Sequence, residues 1–112
     1  EFANGLQVAG VNVPILLRIF HEASGWWYWW GTTHATPEQF RAAWTYTVSY
    51  LRDVKHVHNL IYVYAACRPT ENFTAYETLY PGDDWVDIIS WDRYKSYDTY
   101  ASAIQADCDL IM

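Results

Sequence analysis

The pair His21-Glu22 stands directly after an apolar run and just before residues 25–31, a block of tryptophan and tyrosine bounded by glycine. A glutamate can supply or remove a proton, and its pKa rises where apolar neighbours disfavour the charged form. Tryptophan and tyrosine rings offer broad apolar faces with a polar edge, which suit the C–H-rich faces of a sugar ring. Together these residue types predict a site that cleaves carbohydrate, or one half of such a site, with Glu22 as its acid.

The aromatic residues 26–30 are consecutive and lie between Gly25 and Gly31. Aromatic side chains often form protein cores because they bury large areas. A run of this length cannot face one core at either helical or strand periodicity, and the flanking glycines indicate a loop. We therefore predict an exposed aromatic surface. A sugar-binding module without catalysis would also present such rings, but it has no use for a carboxylate set into apolar surroundings.

The composition of the 112-residue chain limits its class. A hydrophobic fraction of 52% with 19% aromatic residues is too high for a disordered chain. It is also high for an isolated domain, so apolar surface is expected to meet neighbours outside these residues. The net charge of −6 argues against nucleic acid and anionic membranes as partners. No stretch approaches the roughly 20 apolar residues of a membrane span.

The two cysteines, Cys67 and Cys108, are too far apart to match a metal-binding signature. Both are predicted to be free thiols that are mostly buried. The sequence suggests no metal site and no cofactor. Asn72-Phe73-Thr74 fits the N-glycosylation sequon, which matters only in a secreted eukaryotic protein.

Hydrophobic periodicity predicts helices that alternate with strands. Residues 1–9 are predicted to end a helix that Gly10 stops. Residues 13–20 form a nearly continuous apolar run, which is typical of a strand buried on both faces. Arg18 interrupts this run, and a charged group there needs a carboxylate partner. Arg18 is therefore part of a structural ion pair or a site residue, and the structural interpretation is slightly favoured.

A second helix is predicted to begin at Thr36, with Pro37 in the first helical position and Gln39 completing a capping box. Its apolar stripe consists of Phe40, Trp44, Val48, Leu51 and Val54, with Trp44 assigned to the core. Residues 60–65 and 86–91 are predicted strands, separated by a turn at residues 80–84. A last helix is indicated by apolar residues at helical spacing, Tyr100, Ile104, Cys108 and Ile111.

Strands alternating with helices predict parallel β/α units. Each predicted strand is followed by polar or aromatic residues, namely His21-Glu22, Cys67-Arg68, and Asp92 with Tyr94. Active sites of parallel α/β proteins are built at these carboxyl ends of the strands. No glycine-rich nucleotide-binding motif follows any strand, which favours a (β/α)8 barrel over a nucleotide-binding sheet.

Several blocks in this order resemble glycoside hydrolase family 26, whose best-known members are endo-β-1,4-mannanases. The resemblance runs over nearly the whole chain, and its most specific parts are residues 18–22, 25–31, 51–55, 80–84 and 92–94. It implies an α/β fold, a (β/α)8 TIM barrel, of which this chain covers about strands 4 to 6 with their helices. Residues 1–112 would then be a single, incomplete catalytic domain.

The resemblance also implies a retaining mechanism in which Glu22, at the end of the fourth strand, is the general acid/base. His21 would bind the sugar beside the scissile bond and help orient Glu22. Trp27 would stack on the sugar on the leaving-group side. Asp92 and Tyr94 would contact the substrate and hydrogen-bond the nucleophile.

The sequence departs from the family pattern in two ways. Trp26 stands where the family often has a small or polar residue, which alters the leaving-group subsite. The family's nucleophile, a glutamate at the end of the seventh strand, would lie beyond Met112. A retaining glycosidase needs two carboxyl groups about 5 to 5.5 Å apart, so the chain by itself is expected to be inactive. No other acidic residue is a convincing substitute: Asp83 and Asp84 lie in a turn remote from the strand ends, and Asp92 matches a binding residue of the family, while Glu71 and Glu77 lie in the segment after the second strand.

Other specificities of the family, β-1,3-xylanase or mixed-linkage β-glucanase, would share the Glu22 chemistry and differ in their subsite walls. A non-catalytic sugar-binding fragment and a non-functional translated piece also remain open. The partner implied by the resemblance is a polysaccharide or oligosaccharide such as mannan, galactomannan or glucomannan. Because such polymers lie outside cells, the resemblance implies a secreted protein, although the chain contains no recognisable signal peptide.

Overall fold

The computed structural model of the protein describes residues 2–112, in which short strands alternate with helices. The helices are α1 (Phe2–Gly5), α2 (Pro37–Ser49), α3 (Phe73–Leu79) and α4 (Tyr97–Ile111), and a π-helical turn, Tyr50–Val54, continues α2. The strands are β1 (Gln7–Val8), β2 (Val11–Asn12), β3 (Ile15–Leu17), β4 (Leu60–Cys67) and β5 (Ile88–Asp92). Within this part of the chain, no helix has the length and apolar character needed to cross a membrane.

Strands β3, β4 and β5 form one parallel sheet with β4 in the middle. This order confirms the predicted parallel neighbours and sets Cys67, at the end of β4, opposite Asp92, at the end of β5. Strand β3 is shorter than the apolar run of residues 13–20. Pro14 has no N–H to donate to a ladder, and Phe20 has a φ of 48°, which is incompatible with an extended strand.

The amino-terminal prediction is wrong beyond Gly5, where α1 ends. Strands β1 and β2 pair antiparallel instead of continuing the helix. Ala9 and Gly10 form the two-residue turn between them, with φ values of 50° and 79°. Hairpin loops of this kind need positive φ at both positions, so Gly10 closes a hairpin and does not stop a helix. Glu1, the first residue of the predicted helix, lies outside the described residues.

Helix α2 begins as predicted. The Thr36 hydroxyl accepts a hydrogen bond from the Gln39 backbone N–H at 3.3 Å, and the Gln39 side chain accepts one from the Thr36 backbone N–H at 2.9 Å. The predicted apolar stripe packs into the core through Phe40, Trp44, Val48 and Leu51. Val54 is exposed, because the π-helical turn has more residues per turn than an α-helix and rotates the stripe away from the core.

The core lies between β4 and the helices α2 and α3. Its largest fully buried hydrophobic side chains are Trp44, Tyr64, Phe40 and Leu79. Trp44 also donates its indole N–H to the Trp85 carbonyl oxygen at 3.0 Å, which confirms its predicted core position. Helix α3 was not predicted, because its 7 residues are too few for a clear apolar stripe. Asn72 begins α3 by accepting a hydrogen bond from the Ala75 backbone N–H at 3.0 Å.

Helix α4 spans the residues that the last apolar repeat predicted. Cys67 and Cys108 are free thiols, the first buried and the second half-buried. The outer strands of the sheet keep apolar side chains exposed, including Leu16 on β3 and Ile89 on β5. Within residues 2–112 no element covers Leu16, so these residues by themselves do not bury β3 on both of its faces.

Candidate active site

The chain leaves β3 through a sharp bend that places Glu22 over the carboxyl edge of the sheet. Phe20 and Glu22 have φ values of 48° and 54°, a region that residues with a Cβ atom seldom adopt. The Glu22 backbone N–H donates to the Ala65 carbonyl oxygen on β4 at 2.7 Å, which holds the bend against the sheet. Unfavourable backbone conformations persist where the surrounding structure fixes them, and they cluster at functional sites.

The Glu22 carboxylate is half-buried and contacts the aromatic loop, residues 25–31. Its Oε2 accepts a hydrogen bond from the Trp27 indole N–H at 3.0 Å, whereas its Oε1 accepts none from residues 2–112. A Cβ atom at position 25 would lie 2.6 Å from the Trp27 ring, so Gly25 is needed for the ring to take this position. One carboxylate oxygen is thus held by an indole and the other is left to exchange a proton.

His21 is fixed by the inner side of the same loop. Its Nε2 lies 3.2 Å from the Tyr28 hydroxyl, and its carbonyl oxygen accepts a hydrogen bond from the Trp30 indole N–H at 2.9 Å. The Tyr28 and Trp30 rings are stacked, with centroids 4.4 Å apart and planes 10° from parallel. The Tyr28 hydroxyl therefore positions the His21 imidazole, and the Trp30 indole fixes the His21 backbone.

The outer side of the aromatic loop carries the exposed rings. Trp26 and Trp29 are each 66% exposed and Trp27 is 45% exposed, whereas Tyr28 and Trp30 are half-buried. The prediction of an exposed aromatic surface is confirmed for these three tryptophans. Trp27 combines both functions of the loop, since its N–H contacts Glu22 while its ring remains accessible.

Asp92 lies at the same edge of the sheet and is held by Arg18. Two parallel hydrogen bonds join them, from Arg18 Nη1 to Asp92 Oδ1 at 2.8 Å and from Nη2 to Oδ2 at 3.0 Å. The predicted ion pair of Arg18 is therefore confirmed, and its partner is Asp92, itself a predicted site residue. Tyr94 follows β5, is 73% exposed and forms no side-chain hydrogen bond within residues 2–112.

Ser24 and Cys67 tie the acid-bearing bend to the end of β4. The Ser24 hydroxyl oxygen accepts a hydrogen bond from the Cys67 backbone N–H at 2.9 Å, and the Cys67 Sγ lies 3.6 Å from the Glu22 carbonyl oxygen. Burial raises the pKa of the Cys67 thiol, which keeps it protonated and able to donate. Sequence reasoning missed Ser24, although its position between Glu22 and the aromatic loop was a usable signal.

A half-buried carboxylate thus lies beside exposed indole rings at the carboxyl edge of a parallel sheet, the edge where parallel α/β proteins build their active sites. The chain belongs to glycosyl hydrolase family 26, whose model matches residues 1–107. The structures of this family imply the TIM-barrel fold for the domain to which the chain corresponds.

Relatives and solved structures agree with the family. The chain is 46% identical over 94 residues to a mannan endo-1,4-beta-mannosidase of Bifidobacterium adolescentis, covering 80% of the chain and 9% of the relative. A further relative, endoglucanase H of Acetivibrio thermocellus, is 37% identical over 90 residues, covering 72% of the chain and 9% of the relative. The catalytic domain of a family 26 endo-beta-1,4-mannanase from Bacillus sp. JAMB-750 superposes with a TM-score of 0.88 and 38% identity, covering 98% of this chain and 30% of that one. The chain thus spans less than a third of each of these proteins.

Proposed function

We propose that the chain contributes the acid-bearing part of the active site of a retaining endo-β-1,4-mannanase, with Glu22 as the general acid/base. The observation that carries the proposal is the Glu22 carboxylate itself, whose Oε2 accepts a hydrogen bond from the Trp27 indole N–H while Oε1 accepts none from residues 2–112. In this proposal β3, β4 and β5 are strands 4, 5 and 6 of the (β/α)8 barrel. The proposed substrate is mannan, galactomannan or glucomannan, and the similarity to a mannan endo-1,4-beta-mannosidase supports the first of these.

Protonated Glu22 gives its proton to the glycosidic oxygen while a nucleophilic carboxylate attacks the anomeric carbon and the bond to the leaving sugar breaks. Glu22, now ionised, then takes a proton from water. The water oxygen bonds to the anomeric carbon and the nucleophile departs, which restores both carboxyl groups. His21, bound to Tyr28, contacts the sugar beside the scissile bond, and the Trp27 ring stacks on the leaving sugar.

The nucleophile comes from outside residues 1–112 in this proposal. Asp92 is a poor candidate because both of its oxygens accept hydrogen bonds from Arg18. Glu71 also has one oxygen bound, at 2.7 Å from Arg68 Nη2. Asp92 instead serves as a substrate-binding group together with Tyr94, as the family resemblance implies. Because polysaccharides of this kind lie outside cells, we also propose that the enzyme is secreted.

A second specificity, mixed-linkage β-glucan, is supported by one observation, the similarity to a relative named endoglucanase H. The Glu22 chemistry would be the same for either polymer. Hydrolysis of β-1,4-mannan and of mixed-linkage β-glucan by the same preparation of the full-length protein separates the two.

The test of the proposed acid is Glu22→Gln in the full-length protein. Loss of the proton donor should lower the hydrolysis of β-1,4-mannan by about 10²- to 10⁴-fold. An aryl β-mannoside with a good leaving group needs no proton in the first step, so the burst of released aryl alcohol should persist. The matched control is Glu77→Gln on the exposed surface of α3, which should leave both reactions unchanged.

Equal loss of the glycosylation step with both substrates would reject Glu22 as the acid. A protein that binds mannan and hydrolyses no β-linked polysaccharide would instead be a sugar-binding module. Such a module would keep its affinity for mannan when Glu22 is replaced.

A further inference from the structure

A pocket of about 280 Å³ lies beside Trp27, between the aromatic loop and the segment that follows β4. Its walls include Trp26 and Trp27 from the loop, Ser24 from the bend, and Glu71 and Asn72 from the segment after β4. Of these residues, the roles proposed above use only Trp27. The residues of the pocket come from both sides of the candidate site, so it is a feature of the tertiary fold and not of one loop.

Trp27 connects this pocket to the acid. Its N–H donates to Glu22 Oε2 at 3.0 Å, and its ring lines the pocket, whereas Glu22 does not. In the proposed function the Trp27 ring holds the sugar on the leaving-group side of the scissile bond. The pocket therefore lies next to the sugar that Trp27 holds in the proposed function, and Glu22 is not part of its wall.

The two tryptophan rings in the pocket wall are set edge to face. Their centroids are 5.9 Å apart and their planes are 80° from parallel. Two nearly perpendicular rings cannot both stack on the same face of one sugar ring. Trp26 and Trp27 therefore suit two successive sugars, and the 66% exposure of Trp26 leaves its face available for the second.

The polar groups of the pocket match sugar hydroxyls, which both donate and accept hydrogen bonds. The Ser24 oxygen accepts from the Cys67 N–H, so its own O–H proton is free within residues 2–112. Asn72 uses its carbonyl oxygen to cap α3, which leaves its side-chain NH2 group without a partner there. Glu71 binds Arg68 through one oxygen only, so the other can accept.

We infer that this pocket is a second subsite on the leaving-group side and that Trp26 is its specificity-determining residue. The ligand is a neutral β-linked oligosaccharide with at least two sugars beyond the scissile bond. This inference rests on the proposed function, since the direction away from Glu22 is defined by the leaving group.

The experiment compares Trp26→Ala with Trp29→Ala in the full-length protein. Trp29 is the matched control because it belongs to the same loop and is equally exposed, but its ring packs against Phe20 and does not line this pocket. The substrates are mannopentaose labelled at the reducing end and 4-nitrophenyl β-mannobioside. If the wild type cleaves mixed-linkage β-glucan and not mannan, labelled cello-oligosaccharides and the matching aryl cellobioside replace them.

Trp26→Ala should lower kcat/KM for the pentasaccharide by about 10-fold, the effect of losing one stacked ring. Cleavage should also move toward the bond nearest the reducing end, because two sugars on the leaving-group side no longer gain a second platform. The aryl substrate, which does not reach the pocket, should be cleaved at the wild-type rate. Trp26→Phe, which keeps a flat ring, should restore most of the activity on the pentasaccharide.

An unchanged cleavage pattern in Trp26→Ala, or an equal change in Trp29→Ala, would overturn the subsite and leave the proposed function standing. An equal loss on the aryl substrate would also overturn it, because the effect would then arise from disturbance of the loop. Inactivity of the wild-type protein on every β-linked polysaccharide would overturn the proposed function, and the subsite with it.

Discussion

Removing Arg18 from its ion pair with Asp92 should destabilise the protein more than removing Asp92. The pair joins the end of the β3 segment to the end of β5, the two strands that flank β4. The Asp92 side chain is 13% exposed and the Arg18 side chain is 42% exposed. Removing the arginine leaves a mostly buried carboxylate without its partner, whereas removing the carboxylate leaves a guanidinium that water can still reach.

This asymmetry sets the expected magnitudes. Breaking a buried ion pair costs about 3 to 5 kcal/mol, and exposed pairs contribute about 0 to 1 kcal/mol. Because Asp92 is mostly but not fully buried, Arg18→Met should lower the free energy of unfolding by about 2 to 3 kcal/mol. Asp92→Asn should cost about 1 kcal/mol, and the double variant should cost less than the two single changes combined.

The assay is urea denaturation of the full-length protein, followed by tryptophan fluorescence. Arg18→Lys keeps the charge but cannot form two parallel hydrogen bonds, so it should fall between the wild type and Arg18→Met. The matched control is Arg52→Met, because Arg52 makes the same type of paired contact with Asp53, at 2.8 and 3.0 Å, on the exposed surface. This change should have a much smaller effect.

Equal losses in Arg18→Met and Asp92→Asn would refute the reasoning, because the cost would then not arise from a stranded carboxylate. If Arg18→Met cost no more stability than Arg52→Met, the claim that burial of Asp92 strengthens this pair would also be refuted. The Arg18–Asp92 pair would then be a surface contact without influence on the site.

Two further outcomes are expected. Asp107 is fully buried and accepts two hydrogen bonds from Thr70, and Arg93 Nε lies 3.2 Å from its second oxygen without the alignment of a hydrogen bond. Asp107→Ala should therefore lower the free energy of unfolding by about 3 to 5 kcal/mol in urea denaturation. A loss below about 1 kcal/mol would contradict this expectation. Burial raises the pKa of Tyr76 and of Tyr80 to about 12 from an ordinary value of 10.0, so their contribution to stability should be complete below pH 10 and lost as the pH rises through 12. Thermal midpoints that stay constant over this range would contradict the second expectation.

The parallel sheet and the start of α2 could be predicted because their signals are local. The capping box of Thr36 and Gln39 lies within one turn, and apolar runs separated by helical stretches are typical of β/α units. The end of β3 could not be predicted, because positive φ at Phe20 and Glu22 leaves no trace in the pattern of side chains. Gly10 is ambiguous for the same reason, since it suits a helix stop and a hairpin turn equally well.

The candidate site was predictable in its residue types and not in its contacts. Glu22 and the aromatic loop could be chosen as candidates from their residue types alone, without knowledge of the structure. The Arg18–Asp92 pair spans 74 positions and forms only because β3 and β5 flank the same strand. A charge inside an apolar run predicts that a partner exists, but only the sheet identifies the partner.

The aromatic loop is bounded by glycines, yet contacts made by its inward rings fix its position. Its inward rings, Tyr28 and Trp30, stack on each other and bond to the His21 side chain and carbonyl oxygen. The inward rings therefore hold the loop in place while its outward rings remain exposed. One of the outward residues, Trp27, donates its indole N–H to Glu22. In the proposed function, the Trp27 side chain contacts the acid Glu22 and also presents a face to the sugar, so one residue of this loop relates the positions of the two.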